Sequence, residues 1–378
     1  MSTDLLDEIR TLVPLIEDAA ASTEALGTMP ASVADALRAA GLFDAGTPSS
    51  LGGREADIAT LLEIFETSAY ADGSTGWSLM ANISSTAIAS VFTSDDGAAA
   101  MYPDGASVIA AGMLGPVGVA TEEGDGFRVT GKWQFGSGIS NANWVGLGAM
   151  VHRDGAPATT DSGMPYMVIA FVPRADVELD GGWDVMGLVG TGSFDYHADV
   201  HVPAALVFPL LEAQAQRGGP MYQLGIMGLT AAGHAGFAIG VGLRALDEIR
   251  AIASAGKSRY GYTPISQQQL FLHDFAYHDA AVRAAKAYVY QTFSDAEATL
   301  LAGEALTFEQ AARTRQSGTY ATRVAADAAR FAYTWAGSQG LRNGSAVQRC
   351  FRDMCAATQH VFVDNNTLTG LTEVLLMG

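Results

Sequence analysis

GFRVTGKWQFGSGISNANWV, residues 126–145, is where the chain changes character. FRVTGKWQF (127–135) alternates in polarity, which reads as a half-buried strand. Glycines around Ser137 break the pattern. WVGLGAMV (144–151) and YMVIAFVP (166–173) then follow as continuous apolar runs suited to buried strands. DYHADVHVP (195–203) alternates strictly, with Asp195, His197, Asp199 and His201 on one face. Residues 105–209 therefore read as a β domain. On both sides the chain is Ala-rich and helical. Residues 1–104 carry helices over Leu5–Leu26, Ser32–Ala40, Ala56–Tyr70 and Gly76–Phe92. Residues 210–378 carry long helical segments at 221–255, 265–302, 307–336 and 346–364, punctuated by Gly256, Gly303 and Gly340. The reading is three regions: an N-terminal helical domain, a central β domain and a C-terminal helical bundle.

Composition excludes several classes. Of 378 residues, 49% are apolar and 16% charged, and mean hydropathy is +0.17, so the chain has a large core and is not a solvating one. The net charge of −19 repels phosphate backbones and speaks against a nucleic-acid partner. Few charges on an apolar chain suggest surface hidden by self-association. Only Cys350 and Cys355 are present, too few to staple this length, which points to a reduced, cytoplasmic setting. The start, MSTDLLDEIR, has no signal-peptide pattern. Met221–Leu243 holds no Asp, Glu, Lys or Arg, but Gln223, His234 and its many Gly and Ala residues suit a closely packed helix better than a membrane span.

The polar stripe of Asp195, His197, Asp199 and His201 is more simply a wet strand face than a metal site, and no metal is expected. His234, inside an apolar helix, reads as a core histidine. GLVGTGS (187–193) lacks the Gly-Lys-Ser/Thr of a phosphate loop. It is either a tight turn or a place where backbone N–H groups approach a ligand. Arg352 and Asp353 could simply pair inside the bundle.

The same segments carry a resemblance. ALRAAGLFDAGTPSSLGG, AYADGSTGW (69–77), VTGKWQFGSG, WDVMGLVGTGSFDYHADVHVP and QRCFRDMCAATQH, taken in order, are similar to the acyl-CoA dehydrogenase fold. They resemble most its oxygenase branch, the two-component (group D) flavin-dependent monooxygenases. The implied fold is α+β, mostly α: an N-terminal helical domain (1–104), a central β-barrel (105–209) and a C-terminal four-helix bundle (210–378), assembled as a homotetramer. The implied cofactor is reduced FMN or FAD, supplied by a separate NAD(P)H flavin reductase, with O2 as co-substrate.

By position, the resemblance puts Phe135 against the flavin ring, Ser137 on its N5 and Leu114 at the ring edge. It puts Thr191 and Ser193 in a turn near the cofactor, and Arg259 on the flavin phosphate across a subunit interface. In dehydrogenases of this fold a glutamate after the Arg-Asp pair removes the substrate proton. Here that segment reads ATQHVF (357–362), and His360 falls at the place where the oxygenases carry a histidine. Its implied role is that of base and proton tuner. Met113, Asn141, Asn143 and Val189 depart from members that hydroxylate small phenols, so the expected substrate is aromatic or polycyclic. The competing readings are an acyl-CoA dehydrogenase-like flavin enzyme and a non-catalytic assembly protein.

Overall fold

The structure is a computed structural model that describes residues 2–258 and 263–377. Helices α1 (Ser2–Leu26), α2 (Ala31–Ala39), α3 (Ile58–Ala71), α4 (Gly73–Phe92) and α5 (Asp95–Met101) come first. Strands β1 (Ala110–Glu123), β2 (Gly126–Trp133), β3 (Trp144–Arg153), β4 (Ala156–Pro157), β5 (Met167–Pro173), β6 (Glu178–Gly181), β7 (Asp195–Pro203) and β8 (Val207–Pro209) follow. The chain closes with α6 (Gly225–Ser254), α7 (Gln269–Leu301), α8 (Phe308–Ala336), α9 (Ala346–Ala357) and α10 (Asn366–Met377).

The eight strands form one sheet in the order β6-β7-β2-β1-β3-β5-β8, with β4 on β3. Its two end strands do not pair with each other, so the expected barrel is an open sheet in its hydrogen bonding. The register of β1 against β3 slips between Met113 and Gly118. Trp133 and Tyr196 stack beneath that slip with ring centres 5.7 Å apart. The Tyr196 hydroxyl accepts from Met113 N at 2.6 Å and donates to Gly146 O at 3.0 Å. One buried phenol thus pins the bulge in place.

The long charge-free stretch becomes α6, whose most apolar window is 83% buried in the protein. Its glycines explain the close packing. A Cβ at Gly240 would stand 2.2 Å from Glu66 O of α3, and one at Gly236 2.8 Å from Leu62 O. The two helices therefore touch backbone to backbone. In the last quarter the sequence reading needs correction. The helix expected over 346–364 ends at Ala357. A short turn over Val361–Val363 and a further helix, α10, replace its end. His360 sits at the break, with extended dihedrals (φ −76°, ψ 135°).

AYADGSTGW works as a junction. Asp72 caps α4, accepting from Thr75 N at 2.9 Å. Ser74 Oγ accepts from Gly190 N at 3.1 Å. Gly73 leaves room for Asp353, whose Oδ2 would stand 2.5 Å from any Cβ there. Asp353 Oδ1 accepts from Leu188 N at 2.6 Å. A Cβ at Gly187 would lie 2.0 Å from Arg352 O. The GLVGTGS loop lies on α9 at Gly187, while Gly190 and Gly192 admit Thr23 of α1 and Thr28, and the carboxyl its backbone approaches is the protein's own. Arg352 donates to Met186 O at 2.9 Å and pairs with Glu24 of α1. The Arg-Asp pair ties α1, the β6–β7 loop and the bundle together; it does not pair inside the bundle.

Burial, reinforced by the neighbouring Asp72 carboxyl, raises the Asp353 carboxyl to about 7. In the unfolded chain it ionises in the ordinary carboxylate range. Between those limits the folded state holds the extra proton, so this group's contribution to stability falls as pH rises. Asp353→Asn keeps an acceptor for Leu188 but cannot ionise. Its thermal midpoint relative to the parent should climb in its favour from about pH 4 to about pH 7 and level off above. A difference independent of pH would rule the account out.

Candidate functional site

The β1 bulge, the residues after β2, and helices α4, α6 and α8 enclose a cavity of about 330 Å³. That is the low end of the usual range for small-molecule pockets. Leu114, Phe135, Ser137 and His360 all line it. The sequence placed these four at a site, and the fold brings them to one cavity, the first three from the β side and His360 from the bundle. Thr191 and Ser193 are buried and do not line it. Arg259 lies outside the described residues. Asn141 and Asn143 do not line it either. Asn143 instead bridges Ser107 O and Ile109 N at 2.8 Å each.

Ser137 is the polar centre of the β-side wall. Its Oγ accepts from Trp77 Nε1 at 3.1 Å and lies 3.2 Å from Ser193 Oγ. Ser193 Oγ is 2.7 Å from Thr191 Oγ1, which is 2.9 Å from Leu188 O. Ser193 donates to Ser137 and each hydroxyl has one proton, so Ser137 accepts from both Trp77 and Ser193 and keeps its own proton free to donate into the cavity. Thr191 and Ser193 are thus positioning residues behind Ser137.

Phe135 has φ +64°, a costly conformation for a residue with a side chain, yet its ring is 52% exposed. It stands edge-on to Trp183 at 5.7 Å. The ring lies between the cavity and an adjoining cleft of about 630 Å³ that Lys132, Gln134 and Asp195 also line. A strained, solvent-facing aromatic beside a hydroxyl with a free proton suits a planar ligand whose ring enters the cavity and whose tail leaves by the cleft. These residues fit a flavin on that observation.

Two histidines face this wall from the bundle. His360 and His234 lie with ring centres 4.3 Å apart, and Trp77 is edge-on to both at 5.6 and 5.1 Å. His234 is the correction to the sequence reading. It is buried, but its ring makes no hydrogen bond among the described residues, and it lines the cavity. Burial pushes His360 down to about 4. Burial and then the neighbouring His360 push His234 well below its ordinary value. Both rings are neutral near pH 7. His360 Nδ1 accepts from Phe362 N at 3.3 Å, which puts the proton of the neutral ring on Nε2. In this state His360 offers a donor. Accepting a proton at Nδ1 means giving up the Phe362 bond. Among the cavity residues that sequence reasoning missed are Trp77, His234 and Arg315 of α8; of these three only Trp77 lay in a quoted motif.

The metal-like stripe on β7 is consumed by surface pairs. His197 meets Asp180 at 2.6 Å and Arg128 meets Asp199 at 2.6 Å. Among the described residues no His, Cys, Asp and Glu group is arranged to hold a metal ion.

Residues 232–365 match the family described as acyl-CoA dehydrogenase, C-terminal domain. The chain is 31% identical over 342 residues to an indole-3-acetate monooxygenase of Pseudomonas putida, covering 89% of this chain and 84% of the relative. It is 26% identical to the oxygenase component of an FADH2-dependent resorcinol hydroxylase of Rhizobium sp., over 94% and 90% of the two chains. The crystal structure of 3-HSA hydroxylase from Rhodococcus sp. RHA1 superposes with a TM-score of 0.89 at 25% identity, covering 99% and 97%.

The imidazole arrangement has a spectroscopic consequence. In the ligand-free protein, nitrogen-15 resonances of His360 should show the neutral Nε2–H form unchanged from about pH 8 down to about pH 5. A midpoint near the ordinary histidine value would contradict the placement.

Proposed function

Because the chain belongs to the two-component flavin-dependent monooxygenases that share the acyl-CoA dehydrogenase fold, we propose that it is an oxygenase component. It takes reduced FMN or FAD from a separate NAD(P)H flavin reductase and, with O2, places one oxygen atom on an aromatic substrate. The observation that carries this reading is the cavity wall. Ser137 and Phe135 face His360 across the cavity, and no Asp or Glu lines it among the described residues. A dehydrogenase of this fold needs a carboxylate there to remove a substrate proton; an oxygenase needs a dry wall and a placed proton.

Reduced flavin, when bound, supplies the electrons that activate O2. Leu114, Phe135 and Ser137 would hold its ring. The chain's own residues do the rest. Met80, Ile88, Met113 and Phe362 keep water from the reacting atoms. Ser137, backed by Ser193 and Thr191, accepts from Trp77 and Ser193 and so keeps its proton free to donate to a ring nitrogen. His360 holds a proton at Nε2 over the same space.

Self-association belongs to the same reading. Leu270 and Tyr277 stand two turns apart on α7 and are 64% and 66% exposed, which supports a homotetramer built through the bundle. Both cysteines are free, in keeping with the cytoplasm.

The purified chain, given reduced flavin, air and an aromatic acceptor, should yield oxygenated product in step with oxygen consumed. Ser137→Ala should weaken reduced-flavin binding about ten-fold, the effect of one hydrogen bond. A chain with no affinity for reduced flavin overturns the assignment. Light scattering should give about four times the chain mass of 39.3 kDa; a monomer would remove the tetramer.

A further inference from the structure

We propose that the cavity is built for an aromatic carboxylate, and that Arg315 holds the carboxylate. This rests on the oxygenase reading and names the substrate class of the same site.

Arg315 is the only permanently charged residue lining the cavity among the described residues. Its Nε is buried with no hydrogen-bond partner. The guanidinium makes no ion pair among the described residues. That isolation is unexpected in a chain with 40 acidic and 21 basic side chains. Other partly buried arginines find carboxylates. Arg313, two residues earlier, pairs with Glu309 at 2.7 Å, Arg244 pairs with Glu17 and Glu248, and Arg352 pairs with Glu24. A guanidinium taken partly out of water without a counter-ion is costly. A fold that keeps one facing a cavity, with every available carboxylate elsewhere, leaves its counter-ion to the ligand.

The rest of the wall fits the other half of such a ligand. Trp77, His234 and Phe362 present flat faces and edges to the space. Both imidazoles are held neutral by burial and do not compete with Arg315 for an anion. A carboxylate accepts two parallel N–H bonds from a guanidinium, which fixes both the position and the in-plane orientation of the ring that carries it. Arg315 would therefore decide which ring atom faces Ser137 and His360, as well as how tightly the substrate binds. A relative at 31% identity bears the name of an arylacetate, indole-3-acetate, which is an anion of this kind.

A phosphate of the flavin is the other anion that could meet this arginine, and the two sources separate by experiment. Binding of indole-3-acetate and of its neutral, similarly shaped amide is measured by calorimetry, without flavin and with reduced FMN under argon. The parent should prefer the acid at least about ten-fold. Arg315→Gln should lose that preference, keep its affinity for the amide, and bind FMN as the parent does. Arg315→Lys should retain part of the preference. The ligand-free Arg315→Gln protein should melt no lower than the parent, because it has lost an unpaired charge. A parent without the preference in either condition, or a folded Arg315→Gln protein that keeps it, overturns the proposal. So does a loss of FMN affinity in Arg315→Gln that is absent when riboflavin, which lacks the phosphate, is the probe. Oxygenation of neutral indole by the parent tests the oxygenase reading separately, since it needs no anion.

Discussion

The buried carboxyl of Asp353 is the constraint on which the other parts hang. It reaches out of α9, takes the N–H of Leu188 at 2.6 Å and lies against Gly73 at the start of α4. Helix, loop and helix meet there with almost no side chain between them. The arrangement works only because Gly73 and Gly187 have none. With that contact made, the β6–β7 loop is seated, Ser193 and Thr191 stand behind Ser137, and Trp77 of α4 reaches the same hydroxyl from the other side. A structural joint and the polar centre of the cavity are thus two ends of one short stretch of chain.

The cavity is assembled from parts that are far apart in sequence. A slip in strand register gives one wall, held by a single buried phenol. A strained residue after β2 gives the mouth. A break in the last part of the bundle gives His360. Each is a departure from regular structure, and each is stabilised by packing elsewhere. This is the usual arrangement where a regular scaffold carries irregular functional groups.

Long-period features were readable before any coordinates. Polarity alternation marked β2 and β7, apolar runs marked β3 and β5, and glycine punctuation marked the long bundle helices. What the sequence hid was local and irregular. Nothing in 346–364 signals that the helix stops at Ala357, because the stop depends on how Val361–Val363 packs against α6 and α8. His234 looked like a core residue because its neighbours in sequence are apolar; its cavity-facing position depends on Trp77 and His360, which come from other helices. Arg315 sits in an unremarkable segment, and its isolation is a property of what surrounds it in space. Conversely, the glycines of 187–193 read as a tight turn or a ligand loop, and in the fold they allow close contact with α9 at Gly187, Thr23 at Gly190 and Thr28 at Gly192.

The two kinds of buried titratable group have opposite effects on the protein's proton inventory. Folding raises the affinity of Asp353, and of Asp72 beside it, for a proton. It lowers the affinity of His360 and His234. Between roughly pH 4 and pH 6.5 the carboxyls take up protons as the chain folds while the imidazoles give them back. The two exchanges with solvent run in opposite directions, although the groups lie at different places in the interior. In a protein built this way the carboxyls at the joint and the imidazoles at the cavity each offset part of the other's effect on how stability changes across mildly acidic pH.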